Sequence, residues 1–222
     1  MEYAKERKAI VDACRWLEAN EMVIGTWGNV SARLDDGKLL VTPSRVAFTD
    51  IYPEDLVVVD AEGCKVEGVW YPSSEVHIHR LIYARRGDVN AIIQCYPTYA
   101  SAMCASQQGI PPIFEEMSQL IGGGIPVTPE YINAGQHRRL AEAVIETIGQ
   151  KNAILIRNHA PMCFGRDMTE ALTCCKVTEK AAKSYLALKG GVDVAVIPDE
   201  MVDAERERYL NRYGHEGCEE QE

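Results

Sequence analysis

Three short turns, rich in glycine and in residues that carry hydroxyl groups, give this chain its first chemical signal. They lie at residues 25–31 (Gly-Thr-Trp-Gly-Asn-Val-Ser), 42–44 (Thr-Pro-Ser) and 72–74 (Pro-Ser-Ser). Glycine lets backbone N–H groups converge on an anion, and the hydroxyls add further donors. The third turn begins a predicted helix, whose N-terminus favours negative charge. Each turn alone is typical of ordinary loops, but the three together predict a phosphate site.

Candidate acid–base residues lie close to these turns. Glu75 follows the third turn directly: it either stabilises its helix N-terminus or, beside a phosphate, moves a proton or binds a metal. His159 lies in an Asn-His-Ala-Pro turn between two predicted strands, where a polar side chain can be functional or structural. His79 shares a helix face with Glu75, whereas His77 points elsewhere, so these two histidines cannot serve one metal. Tyr213, at the end of the last predicted helix, is by itself typical of a packing residue.

Composition limits the classes of function. The chain has 222 residues, of which 46 % are hydrophobic and 25 % charged, enough for one domain with a sizeable core. A net charge of -10 argues against a nucleic-acid partner. The apolar runs are too short to span a membrane, and no signal segment opens the chain, so a cytoplasmic location is expected. The eight cysteines form no Cys-x-x-Cys motif, which favours reduced, mostly buried thiols, with a reactive Cys95 or Cys163 as the alternative.

The elements that must position these residues follow from periodicity and turn signals. Helices are predicted over residues 3–19, 74–86, 97–106, 136–149, 168–189 and 199–212. Strands are predicted over residues 39–42, 56–60, 91–95, 125–127, 153–156 and 161–164. Either serine of the third turn is expected to cap its helix, and Asp167 with Glu170 forms a capping-box signal. We therefore expect a single α/β domain over residues 1–215, with a mixed, largely antiparallel central sheet flanked by helices on both faces, followed by a polar tail at 216–222.

In order and spacing, these motifs resemble the class II aldolase/adducin family over most of the chain, and the L-fuculose-phosphate aldolase branch most of all. The residues that match the family's phosphate-binding groups are Gly28, Asn29, Ser44, Ser73 and Ser74. The resemblance implies that Glu75 is the catalytic carboxylate, that His159 binds zinc, and that Tyr213 protonates an aldehyde oxygen. It also implies a small phosphorylated carbonyl substrate and a homotetramer with active sites at subunit contacts.

Departures from the family pattern concern the metal. The family's His-x-His motif aligns with Gln94-Cys95-Tyr96, so two of the three zinc histidines are absent. His159 and Glu75 would then form an incomplete site for zinc or manganese, with Gln94 and Tyr96 as substitute ligands. Gln94 offers only a neutral oxygen, and Tyr96 would have to ionise. Arg45 stands where the aldolases commonly place glycine; it either reaches a phosphate or lies on the surface.

Two main hypotheses follow from this pattern. In the first, a divergent enzyme cleaves or forms a carbon–carbon bond in a small phosphorylated sugar or hydroxy acid through an enediolate. Glu75 would move protons, Tyr213 would act as an acid, and His159 would bind a metal or stabilise the oxyanion; epimerisation and decarboxylation remain related possibilities. In the second, an inactive or metal-free member binds a sugar phosphate or a protein partner. A third reading keeps the fold and treats the polar residues as turn chemistry.

Overall fold

A computed structural model describes residues 1–213 of the chain. Its strands are β1 (Asn29–Arg33), β2 (Leu39–Val41), β3 (Val57–Val59), β4 (Lys65–Glu67), β5 (Ala91–Gln94), β6 (Ala153–Leu155) and β7 (Pro161–Gly165). Its α-helices are α1 (Ala4–Ala19), α2 (Val76–Arg85), α3 (Thr98–Cys104), α4 (His137–Ile148), α5 (Met168–Leu188) and α6 (Asp199–Asn211). None of the helices in this part of the chain is long and apolar enough to cross a membrane. The polar tail predicted at 216–222 lies outside the described residues.

The strands form one sheet in the order β4-β3-β2-β1-β5-β7-β6. Every neighbouring pair is antiparallel, and a parallel pairing occurs in the described residues only as the isolated bridge between Val127 and Leu155. Asn29 lies opposite Gln94, which lies opposite Met162 on the other side. The starts of β1 and β7 and the ends of β2, β5 and β6 therefore lie together. This line of strand termini, which runs across the strands, is called the site edge below.

Two hydrophobic cores lie on the two faces of this sheet. Strand side chains alternate between faces, so Ile93 packs in a core with α1, α3 and α5, while Ile92 packs in a core with α2 and α4. Both side chains are fully buried, and each such burial stabilises the fold by roughly 1.5–3 kcal/mol. The expected architecture, a largely antiparallel sheet with helices on both faces, is confirmed.

Some local predictions differ from the structure. Strand β1 lies in a segment where the sequence predicts a turn. Its alternate residues Asn29 and Ser31 are polar although buried, so the apolar side that would predict a half-buried strand is missing. The predicted serine cap of α2 is wrong: the helix has Glu75 at its N-cap, and Ser73 Oγ instead accepts a hydrogen bond from the Glu75 N–H at 3.3 Å. The strand predicted at 125–127 is reduced to isolated bridges. A short edge segment with prolines on both sides of Val127 cannot sustain a ladder.

The N-cap predicted before α5 is confirmed, but Glu170 contacts a different residue from the one that a capping box requires. Asp167 Oδ1 accepts a hydrogen bond from the Glu170 N–H at 2.8 Å, as expected of an N-cap. The Glu170 carboxylate, however, accepts from the Arg166 N–H at 2.9 Å and from the Arg166 guanidinium at 2.8 Å. The helix start is therefore stabilised by an ion pair as well as by its cap.

The cysteines within residues 1–213 follow the first of the two expectations. All are free thiols, and each of them except Cys64 is buried. Cys95 and Cys163 are fully buried in the core beneath α5, so neither thiol is exposed to reagents in solution. Cys218 lies beyond the described part of the chain.

Candidate active site

The second and third predicted turns come together at the site edge. An isolated antiparallel bridge joins Pro43 to Pro72, so the two turns lie side by side. Ser74 is exposed and Ser44 is half-buried, whereas Ser73 is buried and engaged with the start of α2. The two accessible hydroxyl groups therefore share one region of the surface, as a phosphate site requires.

The first predicted turn shapes the start of β1. Gly28 has a φ of +122°, and a Cβ at this position would lie 3.2 Å from the Gln94 carbonyl oxygen and 3.2 Å from the Phe48 ring. Only glycine allows this close approach of backbone to backbone. The next residue, Asn29, begins β1 with its side chain buried, and Ser31 is fully buried further along the strand. The turn thus brings Asn29 into the site and places Ser31 beneath it.

Five polar side chains converge at the site edge and are called the polar cluster: Asn29, Glu75, Gln94, Tyr96 and His159. Asn29 Nδ2 donates hydrogen bonds to Glu75 Oε2 at 2.8 Å and to Gln94 Oε1 at 3.1 Å. His159 Nε2 lies 3.4 Å from Glu75 Oε1, 3.4 Å from Gln94 Nε2 and 3.1 Å from the Tyr96 hydroxyl. Residues from four separate parts of the chain therefore form one hydrogen-bonded group.

Burial decides the electrostatics of the polar cluster. Glu75 is only 7 % exposed, and Asn29 and Gln94 are more buried still. Burial, together with the nearby Glu75 carboxylate, raises the pKa of Tyr96, so its phenol stays protonated. Within the described residues Glu75 Oε1, Asn29 Oδ1 and His159 Nδ1 have no hydrogen-bond partner. Unpartnered buried polar atoms are costly, so these three atoms call for partners outside the protein, either water or a bound molecule.

The donor set of the polar cluster does not fit zinc. In residues 1–213, no three His, Cys, Asp or Glu side chains converge in a way that could hold a metal ion. Glu75 and His159 are in place, and the predicted substitutes Gln94 and Tyr96 do lie beside them. Zinc prefers thiolate, imidazole and carboxylate donors, whereas the substitutes are a neutral amide and a phenol that would have to ionise before it could bind the metal.

Tyr213 lies at the opposite edge of the sheet. Its ring packs on Tyr209 with a centroid distance of 5.7 Å, and both line a cavity with Arg166. Arg166 follows β7, whose five residues span about 17 Å from the end near His159. The structure therefore does not bring Tyr213 to the polar cluster of its own chain.

Two residues bordering the polar cluster were missed by the sequence reasoning. Trp27 is 64 % exposed, with its ring centroid 6.2 Å from that of Tyr96, which in turn lies 6.1 Å from that of His159. The sole signal for Trp27 was a large aromatic residue inside a glycine-rich turn. Tyr83 lies below the cluster, and its signal was a spacing of eight residues, about two helical turns, from Glu75.

Arg45 gives a prediction in which stability and binding move in opposite directions. Its φ of 63° lies in the left-handed region, which costs a residue other than glycine roughly 1–2 kcal/mol. Glycine relieves this strain but loses about 0.5–1 kcal/mol through its greater freedom in the unfolded chain. We expect Arg45→Gly to raise the free energy of unfolding by about 0.5 kcal/mol. The same variant should weaken the binding of inorganic phosphate about tenfold, because it removes a guanidinium beside Ser44.

Urea unfolding and calorimetric titration with phosphate check these two effects. Arg45→Ala is the matched control, since it removes the charge but keeps the strained backbone. It should lose phosphate affinity without gaining stability. Unchanged phosphate affinity in both variants would place Arg45 on the surface and outside the site.

Known proteins resemble this chain in sequence and in fold. Residues 8–186 match the family described as the class II aldolase and adducin N-terminal domain, so the chain belongs to the class II aldolase/adducin family. One relative is the L-ribulose-5-phosphate 4-epimerase UlaF of Salmonella paratyphi C, which is 29 % identical over 196 residues, covering 84 % of this chain and 86 % of the epimerase.

Solved structures agree with this assignment. An L-fuculose 1-phosphate aldolase superposes with a TM-score of 0.89 at 27 % identity, covering 95 % of this chain and 98 % of the aldolase. The L-fuculose-1-phosphate aldolase of Thermus thermophilus gives a TM-score of 0.69 at 26 % identity, covering 84 % of this chain and 96 % of that aldolase. The family resemblance seen in the sequence is confirmed, and these relatives include both an epimerase and aldolases.

Proposed function

We propose that this chain is an enzyme that acts on a small phosphorylated sugar or hydroxy acid through an enediolate-type intermediate, by aldol cleavage or condensation. The observation that carries the proposal is the polar cluster beside two accessible hydroxyl turns: Asn29 donates a hydrogen bond to Glu75, and His159 Nε2 lies 3.4 Å from Glu75 Oε1. The relatives named above support the substrate class, since their names specify L-ribulose 5-phosphate and L-fuculose 1-phosphate.

Glu75 acts as the base in this proposal. Its Oε2 is held by Asn29, which fixes the carboxylate, while its Oε1 has no hydrogen-bond partner among the described residues and can take a proton from a substrate hydroxyl or carbon. A general base must reach the proton that it abstracts, and a fixed carboxylate whose second oxygen makes no hydrogen bond within the described residues and lies 3.4 Å from His159 Nε2 meets that condition.

Neutral donors stabilise the oxyanion that proton transfer creates. The Tyr96 phenol is protonated and the Gln94 amide carries N–H groups, and both face the same nitrogen of His159. Fixed donors in a buried site stabilise developing negative charge without reorganisation. Family members typically use a divalent metal for this task. Here the chain's own hydrogen-bond donors occupy the positions where the family pattern has histidine.

The Ser74 hydroxyl tests the phosphate part of the proposal. We expect Ser74→Ala to raise KM about tenfold for L-ribulose 5-phosphate, because an exposed donor to a doubly charged group is lost. The KM for unphosphorylated L-ribulose should stay unchanged. Steady-state kinetics on the two sugars measure this difference, and an equal effect on both would show that no phosphate binds at this turn.

Product analysis tests the reaction itself. Untagged protein purified without chelators is incubated with L-ribulose 5-phosphate or L-fuculose 1-phosphate, with and without added zinc or manganese, and the products are followed by NMR. Release of an aldehyde supports aldol cleavage, whereas an inverted hydroxyl group indicates epimerisation. In a separate incubation with a phosphorylated hydroxy acid, release of carbon dioxide would indicate decarboxylation. Absence of any product, together with absence of binding, would contradict the proposal.

A sugar-phosphate binding protein without turnover is the second candidate function. The incomplete metal donor set favours it, since two of the family's three zinc histidines are replaced by neutral groups. Calorimetric binding of either sugar phosphate without product would support this alternative. The homotetramer, with active sites at subunit contacts, and the cytoplasmic location stay predictions; sedimentation analysis tests the first.

A further inference from the structure

A second layer of polar side chains lies beneath the polar cluster, between β1 and α2. Asn29 and Ser31 are two residues apart on β1, and Glu75, His79 and Tyr83 are spaced by four residues along α2 and its N-cap. Spacings of two on a strand and four on a helix place side chains on one face. The two faces meet, so the polar cluster continues as a column into the protein.

Hydrogen bonds connect this column at two levels. At the upper level, Asn29 Nδ2 donates to Glu75 Oε2 at 2.8 Å. At the lower level, Ser31 Oγ lies 2.7 Å from His79 Nδ1 and 2.8 Å from the Tyr83 hydroxyl, which also donates to the Ser31 carbonyl oxygen at 3.1 Å. Each level joins one residue of β1 to the facing residues of α2.

The lower level is not explained by stability alone. His79 and Ser31 are fully buried and Tyr83 is 4 % exposed, in a core otherwise formed by residues such as Ile78 and Ile82. Burial lowers the pKa of His79 to about 3, so its imidazole is neutral, and its Nε2 has no partner among the described residues. An apolar side chain would avoid this desolvation cost.

We propose that His79 is a positioning residue that acts through Ser31 to hold Glu75 against Asn29. The His79–Ser31 contact fastens the first turns of α2 to β1. Glu75 lies one helical turn before His79, whose N–H donates to the Glu75 carbonyl oxygen at 3.3 Å, and Asn29 lies two residues before Ser31. Holding His79 against Ser31 therefore fixes the distance between Glu75 and Asn29. The inference rests on the proposed role of Glu75 as the base.

The test compares variants of the lower level with a matched variant of the same helix. Ser31→Ala and His79→Leu remove the contact, and His79→Asn keeps a polar atom near the position of Nδ1. Ile82→Val is the control, because it removes one buried methyl group from the same helix and none of the hydrogen bonds of the column. Two readouts are used: kcat and KM on whichever of L-ribulose 5-phosphate and L-fuculose 1-phosphate the protein converts, and the side-chain amide NMR signal of Asn29, assigned by its loss in Asn29→Asp.

Ser31→Ala and His79→Leu should lower kcat about 100-fold with little change in KM, since a small displacement of the base affects the chemical step. His79→Asn should recover most of kcat, and Ile82→Val should lower the melting temperature without changing kcat. The Asn29 amide signal should shift in Ser31→Ala and stay unchanged in Ile82→Val.

The inference is overturned if Ser31→Ala behaves like Ile82→Val, with lower stability but the same kcat and the same Asn29 amide signal. This comparison holds even if His79→Leu does not fold. If the wild-type protein shows no turnover, the proposed function fails by itself. The Asn29 signal then decides on positioning alone: a shift confined to the column variants supports it, and an unchanged signal overturns it.

Discussion

Glu75→Gln is expected to lower kcat/KM on the phosphorylated substrate by about 1,000-fold or more, because general base catalysis contributes roughly 10²–10⁴-fold. Glutamine keeps the size of the side chain, and its amide oxygen can still accept the hydrogen bond that Asn29 donates to the carboxylate. The fold and the phosphate turns should therefore survive, and only the capacity to take a proton is lost. Steady-state kinetics, with calorimetric binding of inorganic phosphate measured alongside, separate these two effects.

Glu170→Gln is the matched control for this experiment. Glu170 is a carboxylate of similar burial, but it lies at the opposite edge of the sheet, where it pairs with Arg166. Its replacement should lower thermal stability and leave turnover unchanged. If Glu75→Gln retains full activity, or if both variants lose activity to the same degree, Glu75 is not the base and its carboxylate only stabilises the start of α2.

The second large effect is a gain of metal binding. Gln94→His combined with Tyr96→His would place two further imidazoles beside His159 and Glu75, because both side chains already contact His159 Nε2. Three imidazoles and one carboxylate suit zinc, so we expect about one tightly bound zinc per chain. The wild-type protein, whose corresponding groups are a neutral amide and a phenol, should retain far less. Elemental mass spectrometry after dialysis against zinc-free buffer measures both.

The control adds His159→Ala to the double variant. Removing the histidine that the two new ligands share should abolish zinc retention while leaving the remainder of the fold intact. About one zinc per chain in the unmodified protein would instead show that the polar cluster binds metal with its own donors, contrary to the expected preference for imidazole and thiolate ligands.

Much of the fold was predictable because its signals are local. Residues 3–19 carry helical spacing and form α1, and the run before the Asn-His-Ala-Pro turn pairs with the run after it as β6 and β7. Strand β1 escaped prediction for a physical reason. Its alternate residues Asn29 and Ser31 are polar, and their burial depends on partners on α2 that the local sequence does not reveal.

The features of the candidate site that depend on local sequence were also predictable. Sequence motifs alone indicated the family, the phosphate turns and the special position of Glu75, since glycine, serine and helix-start patterns act over a few residues. The missing histidines were also visible in the sequence, as Gln94-Cys95-Tyr96.

The tertiary structure alone decided which side chains meet. Asn29 reaches Glu75 across 46 residues of sequence and Gln94 across 65, and these contacts depend on the register between β1 and β5. The same topology sends Tyr213 to the opposite edge of the sheet, away from His159, although the sequence had placed both in one site. Turns and helix starts depend on neighbouring residues and can be predicted from the sequence. Hydrogen bonds between distant residues form only once strand order and register have fixed the distances.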